Sequence, residues 1–321
     1  MNDSLKDDSE RSLLLVITAE EQGERLDRII GSRGLEYSRS VLQRWIAHGR
    51  VLVDGRRAKS NARPKQGSVV RITPEPPPPS TAIPQDIPLE VLFEDADLLV
   101  LNKPAGMVIH PAPGHPSGTL VNALRFHTSL PDDGDWRRPG IVHRLDKETS
   151  GVLVIAKLPR AREHLIAQFK KHAIERRYHA IVLGHPPEQA SFNTLYSRHP
   201  VDRKRFTARA DRGKNAITHM RTIERLHASA LVECKLDTGR THQIRVHLSE
   251  AGYPVLADSL YGRTSRDERL IEAARLIRRQ ALHASVLGFE HPVTGELLRF
   301  ETALPEVFDR VLEVLRERSK G

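Results

Sequence analysis

The sequence predicts an α+β protein: a small basic module followed by a larger, strand-rich region. Three observations carry that expectation. Strand-sized apolar runs outnumber helical stripes and are joined by short connections, which argues against a regular βαβ wind. A proline run, Pro76–Pro79, separates the two parts. The 321 residues are 39% hydrophobic and 28% charged, enough for two cores without disulfides or metals.

Residues 1–11 carry mixed charge and almost no apolar side chains, so they read as a disordered tail. Residues 12–75 read as one module. Leu26, Ile29 and Ile30 share a helical face. A second helix follows Tyr37, with Ser38 or Ser40 as N-cap, Leu42, Trp45 and Ile46 as its stripe, and Gly49 at its end. Val51–Val53, an Asp54-Gly55 turn and Val69–Ile72 supply strands. Residues 76–88 read as a semi-rigid proline linker.

Within residues 89–321, Val91–Glu94 and Leu98–Asn102 read as a hairpin, and Val152–Ala156 and Tyr178–Leu183 as strands. Ala161, Leu165 and Phe169 mark a helix opened by Pro159. Leu270, Ala274 and Ile277 mark another. A C-terminal helix shows Val307, Val311 and Val314 or Leu315.

The balance of 50 Lys and Arg against 41 Asp and Glu gives a net charge of +9, which suits a polyanionic partner. Residues 20–75 hold 12 basic and 7 acidic residues, more than half of that excess. The single cysteine, Cys234, excludes a disulfide scaffold or multi-cysteine zinc site and fits a reducing cytoplasm. No apolar run reaches the roughly 20 residues of a membrane helix, and the N-terminus has no secretory core. There is no phosphate-binding loop, dinucleotide fingerprint or serine-hydrolase elbow, so no nucleotide cofactor is expected.

Three segments hold chemistry-bearing residues. In GIVHRLDKETSG (Gly140–Gly151), Asp146 lies among His143, Arg144 and Lys147. Cations favour an ionised carboxylate fit for nucleophile or base work, although a surface ion pair has the same composition. In Thr238–Leu248 a helix is expected, with His242 and Arg245 on one face and His247 off it. The alternation Ile244, Val246, Leu248 also suits a strand. The histidines lack metal-ligand spacing, so no metal is expected. Arg198–Met220 is either a solvated charged hairpin or a phosphate-tracking arm.

HRLDKETSG, ERRYHAIVLG, TGRTHQIRVHL and RQALHASVLGFEHPVTGE resemble, in order and spacing, the RluA family of RNA pseudouridine synthases from Leu89 to about Pro305. The first module resembles the αL RNA-binding domain of ribosomal protein S4. YSRSVLQRWI, QDIPLEVLFEDADLLVLNKPAGMVIHPAPGH and RHPVDRKRF resemble the RluD-type branch of the family. The resemblance implies a pseudouridine synthase fold, with mixed, largely antiparallel sheets around a central cleft.

The resemblance also implies conversion of uridine to pseudouridine in large-subunit ribosomal RNA, without metal or cofactor. The cytoplasmic location follows from the cysteine usage, and a monomer is the default expectation for an oligomeric state the sequence leaves open. It makes Asp146 the essential carboxylate, as nucleophile or base, and Arg245 its ion-pair partner. Tyr178 becomes the tyrosine stacked on uracil, or else a core aromatic. Arg144 fills the gap left by a flipped nucleotide, or else contacts a phosphate. His143, Arg198, Arg203, Arg205, Arg240 and His242 are expected to bind substrate, and Arg39, Arg44 and Arg50 to bind RNA from the first module. Transfer RNA as substrate and a non-catalytic ribosome-assembly protein are the alternatives. A glycoside hydrolase would usually need a second catalytic carboxylate.

Overall fold

The computed structural model describes residues 12–33, 39–74, 82–111, 114–128, 130 and 139–316. The expected tail at 1–11, the N-cap candidate Ser38 and the proline run lie outside them. The chain divides into two compact units, one ending at Ser80 and one beginning at Thr81.

In the first unit the order is β1 (Leu13–Val16), α1 (Leu26–Ser32), α2 (Arg39–Ala47), β2 (Val51–Val53), β3 (Arg56–Arg57) and β4 (Val69–Ile72). The sheet order is β1-β4-β2-β3. Leu26, Ile29 and Ile30 from α1 meet Leu42, Trp45 and Ile46 from α2 in one core with Val51, Val70 and Ile72. Ser40 lies inside α2, so it does not cap it. Gly49 (φ 74°) closes α2. Asp54 (φ 49°) and Gly55 (φ 76°) make the two-residue hairpin turn whose positive φ values suit the strand twist. Asp27 is fully buried in this core, held by both arms of Arg25 at 3.0 Å and by Gln43 of α2 at 2.8 Å.

The second unit contains β5 (Glu90–Glu94), β6 (Leu98–Lys103), α3 (Leu120–His127), β7 (Ser150–Ala156), α4 (Pro159–Lys170) and β8 (Glu175–Leu183). It continues with β9 (Gln189–Arg198), β10 (Phe206–Thr207), β11 (Lys214–Leu226), β12 (Ser229–Leu236) and α5 (Gln243–Glu250). It ends with α6 (Glu268–Ile277), β13 (Leu282–Glu290), β14 (Leu297–Glu301) and α7 (Glu306–Arg316). Ten strands form one sheet in the order β10-β9-β11-β12-β8-β13-β7-β6-β5, with β14 also on β13. β13 pairs parallel with β7, and the other pairings of this sheet are antiparallel.

Both faces of β6 and β7 are covered, which is why they read as unbroken apolar runs. Leu99, Leu101, Leu153 and Ile155 face the core shared with α3, α6 and α7. Leu98, Val100, Val152 and Val154 face the core shared with α4. Both later helical stripes face the first of these two cores. In α6 Leu270 and Ile277 are buried and Ala274 is partly buried beside Ala273. In α7 Val311 and Leu315 are buried with Phe308 and Leu312, while Val307 and Val314 are partly buried. Residues 82–88, read as the end of a linker, are fastened to α3. The Gln85 N–H donates to the Asn122 carbonyl at 3.1 Å, and Asn122 Nδ2 donates to the Ile83 carbonyl at 2.8 Å. Among the described residues no helix is long and apolar enough to cross a membrane.

Candidate active site

Asp146 sits on the loop that leads into β7, and this loop is held on several sides. At its start, Gly140 (φ 70°) lies so close to β7 that a Cβ would come within 2.4 Å of the Ala156 carbonyl. His143 follows. Its Nε2 accepts the Val154 N–H at 3.1 Å, and its ring stacks on Phe169 of α4 with centroids 4.7 Å apart. Burial, with Arg176 nearby, pushes its pKa down to about 3, so the ring is neutral. After Asp146, the Lys147 carbonyl receives Lys103 Nζ at 3.2 Å and the Gly106 N–H at 2.9 Å. Lys103 is fully buried, and it also donates to the carbonyls of Pro104 and Met107. Burial pulls its pKa down to about 8.

Arg245 reaches this loop from α5. Its Nη1 donates to Asp146 Oδ2 at 2.9 Å. Its Nε and Nη2 grip Asp258 at 2.7 and 2.9 Å, and Tyr261 lies under the guanidinium at 5.1 Å. One buried cation thus serves two carboxylates. Burial pulls the guanidinium pKa down, but the two carboxylates outweigh it and leave it above its ordinary value. Asp258 also accepts the N–H groups of Leu260 and Tyr261 at 2.9 and 3.0 Å. Charge and hydrogen bonds therefore fix the arginine's direction on both sides.

The helix begins later than the sequence predicts. Residues 238–242 form a turn, and α5 starts at Gln243. Gln243 explains the shift. Its Oε1 accepts the Arg240 N–H at 2.9 Å and the Thr238 hydroxyl at 2.8 Å, closing the turn just ahead of the helix. His242 precedes the helix in a left-handed conformation (φ 60°). Its Nε2 is 3.9 Å from Asp146 Oδ1, and its Nδ1 is 2.9 Å from the Tyr261 hydroxyl. Burial lowers its pKa against the pull of Asp146. His247 points elsewhere, to Thr194 and Thr218.

Tyr178 on β8 is buried, and burial raises its hydroxyl pKa. β13 lies between β8 and β7, so Tyr178 and the loop before β7 stand across one strand from each other. A cleft of about 460 Å³ opens here, lined by Arg144, Asp146, Tyr178 and Arg240, with His143 in its wall. A smaller pocket of about 50 Å³, which also touches Arg144, Asp146 and Tyr178, adds His242 and Arg245.

Thus Arg144, Asp146, Tyr178, Arg240, His242 and Arg245 converge. Arg198, Arg203 and Arg205 belong to an ordered hairpin. Arg198 lies over Phe206 at 5.0 Å and donates to the Arg203 carbonyl, and Arg205 lies over Tyr261 at 5.3 Å. Arg44 and Arg50 are half-buried in the first unit, and the side chain of Arg39 lies outside the described residues. Sequence reasoning missed Lys103, Arg176, Asp258 and Tyr261. Their only signal was local: a lysine inside an apolar strand and an acidic residue in a loop.

Among the described residues, Asp95, Asp97 and His291 have metal-ligand proximity. Their atoms are already engaged. His291 donates to Asp95 at 2.8 Å and accepts from Val293 and Thr294, while Asp97 pairs with Arg160 at 2.9 Å.

Residues 97–250 match the RNA pseudouridylate synthase family model, and residues 24–70 match the S4 domain model. The ribosomal large subunit pseudouridine synthase D of Zymomonas mobilis is 44% identical over 94% of this chain and 96% of its own length. An uncharacterized RNA pseudouridine synthase of Bacillus subtilis is 41% identical over 94% of this chain and 98% of its own. The chain belongs to the RNA pseudouridine synthase family. Among solved structures, the human RNA pseudouridylate synthase domain containing 4 aligns with a TM-score of 0.54 and 26% identity, over 70% of this chain and 92% of that one. As a pseudouridine synthase with an S4 domain, the protein is an RNA-binding isomerase. The family-matched span ends at Glu250, before Asp258 and β13.

Proposed function

We propose that the protein isomerises uridines in a stem-loop of large-subunit ribosomal RNA, with Asp146 as the catalytic carboxylate. The observation that carries the reading is the 2.9 Å pair of Asp146 and Arg245, which lines a pocket together with Tyr178. The Zymomonas mobilis relative and a Pseudomonas aeruginosa relative, 42% identical, carry the name ribosomal large subunit pseudouridine synthase D, which supports the substrate.

A stacked uridine hides its glycosidic carbon, so the target nucleotide flips into the cleft, most cheaply from a loop. Arg144, exposed at the rim, fills the vacated space. Tyr178 lies against the uracil. Asp146 attacks the nucleotide or removes a ribose proton, the C1′–N1 bond breaks, the uracil turns, and C1′ joins C5. The C5 proton leaves as N1 gains one, so atoms and electrons balance without an oxidant or reductant. Arg245 donates to the carboxylate and holds it aimed into the cleft. The S4 unit, with Arg39, Arg44 and Arg50, and the Arg198–Arg205 hairpin hold the stem through its phosphates. The protein works as a monomer in the cytoplasm.

Primer-extension mapping of carbodiimide-treated RNA from a deletion strain tests this. Loss of large-subunit stops, restored by wild type and not by Asp146→Asn, is expected. Loss at a transfer-RNA site alone would overturn the substrate.

A further inference from the structure

Past Asp146 and Tyr178 the cleft runs toward α4 and the turn after β12, where Phe169, Lys170, His172, Arg176, Gly239 and Arg240 wall it. This end is cationic. The carboxylate in its lining is Asp146, which Arg245 already matches.

Arg176 is 6% exposed, and no carboxylate among the described residues pairs with it. Its Nη2 donates to the carbonyls of Leu236 and Asp237 at 3.4 and 2.8 Å, and its plane lies over Phe169 at 5.5 Å. Nε is buried without a partner, and Nη1 makes no hydrogen bond among the described residues. Gly239 faces that nitrogen. A Cβ there would lie 2.6 Å from Nη1, and Gly239 does not have the positive φ that would demand glycine for the backbone. The absent side chain leaves the guanidinium open. A buried cation without a counter-charge is costly, and a guanidinium matches phosphate geometry well.

We propose that Arg176, opened by Gly239 and flanked by Arg240 and Lys170, binds one backbone phosphate of the RNA beside the nucleotide that Asp146 acts on. Arg176 and Tyr178 are two residues apart on β8 and share its buried face. The phosphate and the uracil are therefore gripped by adjacent side chains of one strand, which sets how far the flipped nucleotide enters. The inference rests on the reading of Asp146 as catalytic.

The test uses a synthetic stem-loop carrying the uridine mapped in the deletion strain. Each linkage flanking that uridine is replaced in turn by an uncharged methylphosphonate, and kcat and KM are measured for wild type, Arg176→Gln and Gly239→Ala. One linkage should raise the wild-type KM by roughly 10- to 150-fold, the span of a charge-assisted hydrogen bond. Arg176→Gln should raise KM similarly on the native RNA and lose sensitivity to that linkage. Gly239→Ala should do the same with an unchanged melting curve, so the cycle stands even where Arg176→Gln fails to fold. Penalties that multiply, or a wild type indifferent to every linkage, would overturn the subsite. Full turnover by Asp146→Asn would instead overturn the catalytic reading and leave the phosphate cycle to report on Arg176.

Discussion

Asp258→Asn is the sharpest perturbation of the site, because it leaves every side chain at the cleft unchanged. The Asp258 side chain is fully buried and accepts four hydrogen bonds, two from Arg245 and two from backbone N–H groups. Asparagine keeps the shape, but it removes the charge and turns one acceptor into a donor facing other donors. Breaking a buried ion pair costs about 3–5 kcal/mol. For a unit of this size about 1 kcal/mol shifts Tm by roughly 2–4 °C, so a drop of roughly 6–20 °C is expected. Arg245 also loses one of its two anchors, and its aim at Asp146 loosens. The loss of a charge-assisted hydrogen bond, about 1.5–3 kcal/mol, corresponds to a fall in kcat of roughly 10- to 150-fold. Calorimetry reads the first effect, and release of tritium from C5-labelled uridine in RNA reads the second. Burial pushes the Asp258 carboxyl up, but Arg245 and the backbone donors outweigh it and hold it below the usual carboxylate range. Its stabilisation is therefore present above its unfolded pKa, about 3.9, and is lost as pH falls through the lower folded value. The variant should lack that acid limb. A Tm within about 2 °C of wild type, with kcat within about twofold, would refute the shared-arginine argument.

Asp146→Asn should lower turnover by at least roughly a hundredfold while RNA affinity changes little, because affinity comes from Lys and Arg contacts; filter binding beside tritium release checks both. Removal of residues 1–80 should leave a cooperatively melting catalytic unit with weaker RNA binding and a shallower salt dependence, and an insoluble product or an unchanged slope would contradict this. Burial holds His143, His247 and His283 at pKa values of about 3, 4 and 4. The unfolded chain therefore takes up protons first as pH falls from about 6.5 toward 4, and stability falls over that window by at most about 1.4 kcal/mol per pH unit for each histidine. Urea titrations that give equal stability at pH 7 and pH 5 would exclude this.

The sequence shows strands best where packing and periodicity agree. Val69–Ile72 is legible as a β-branched run, and the hairpin of β5 and β6 as two apolar runs on either side of the Asp95–Asp97 turn. α5 is legible only in part. Ile244, Val246 and Leu248 are all buried, but helix and strand templates both fit them, and the side-chain bonds of Gln243 that set the helix start leave no periodic trace. The convergence of His242 and Arg245 was expected from helical spacing. It arises instead from a left-handed residue just outside the helix. Asp258 and Arg176 were invisible because their meaning lies in partners far along the chain, namely a guanidinium and a missing Cβ.

The insertion of β13 between β7 and β8 has a consequence for how the enzyme comes into being. Ser150, at the start of β7, bonds His283 of β13 at 2.9 Å across 133 residues, and β13 also pairs with the strand of Tyr178. A nascent chain that has reached Glu250 holds Asp146, Tyr178 and Arg245, yet it lacks both the strand that sets two of them side by side and the aspartate that aims the third. At about 5–20 residues per second, synthesis from Asp146 to Glu290 takes roughly 7–30 s. Throughout that interval the strand that joins β5-β6-β7 to β8-β12-β11-β9 in one sheet is still missing. The cleft between Asp146 and Tyr178 is therefore completed late, when β13 enters the sheet between the strands made first.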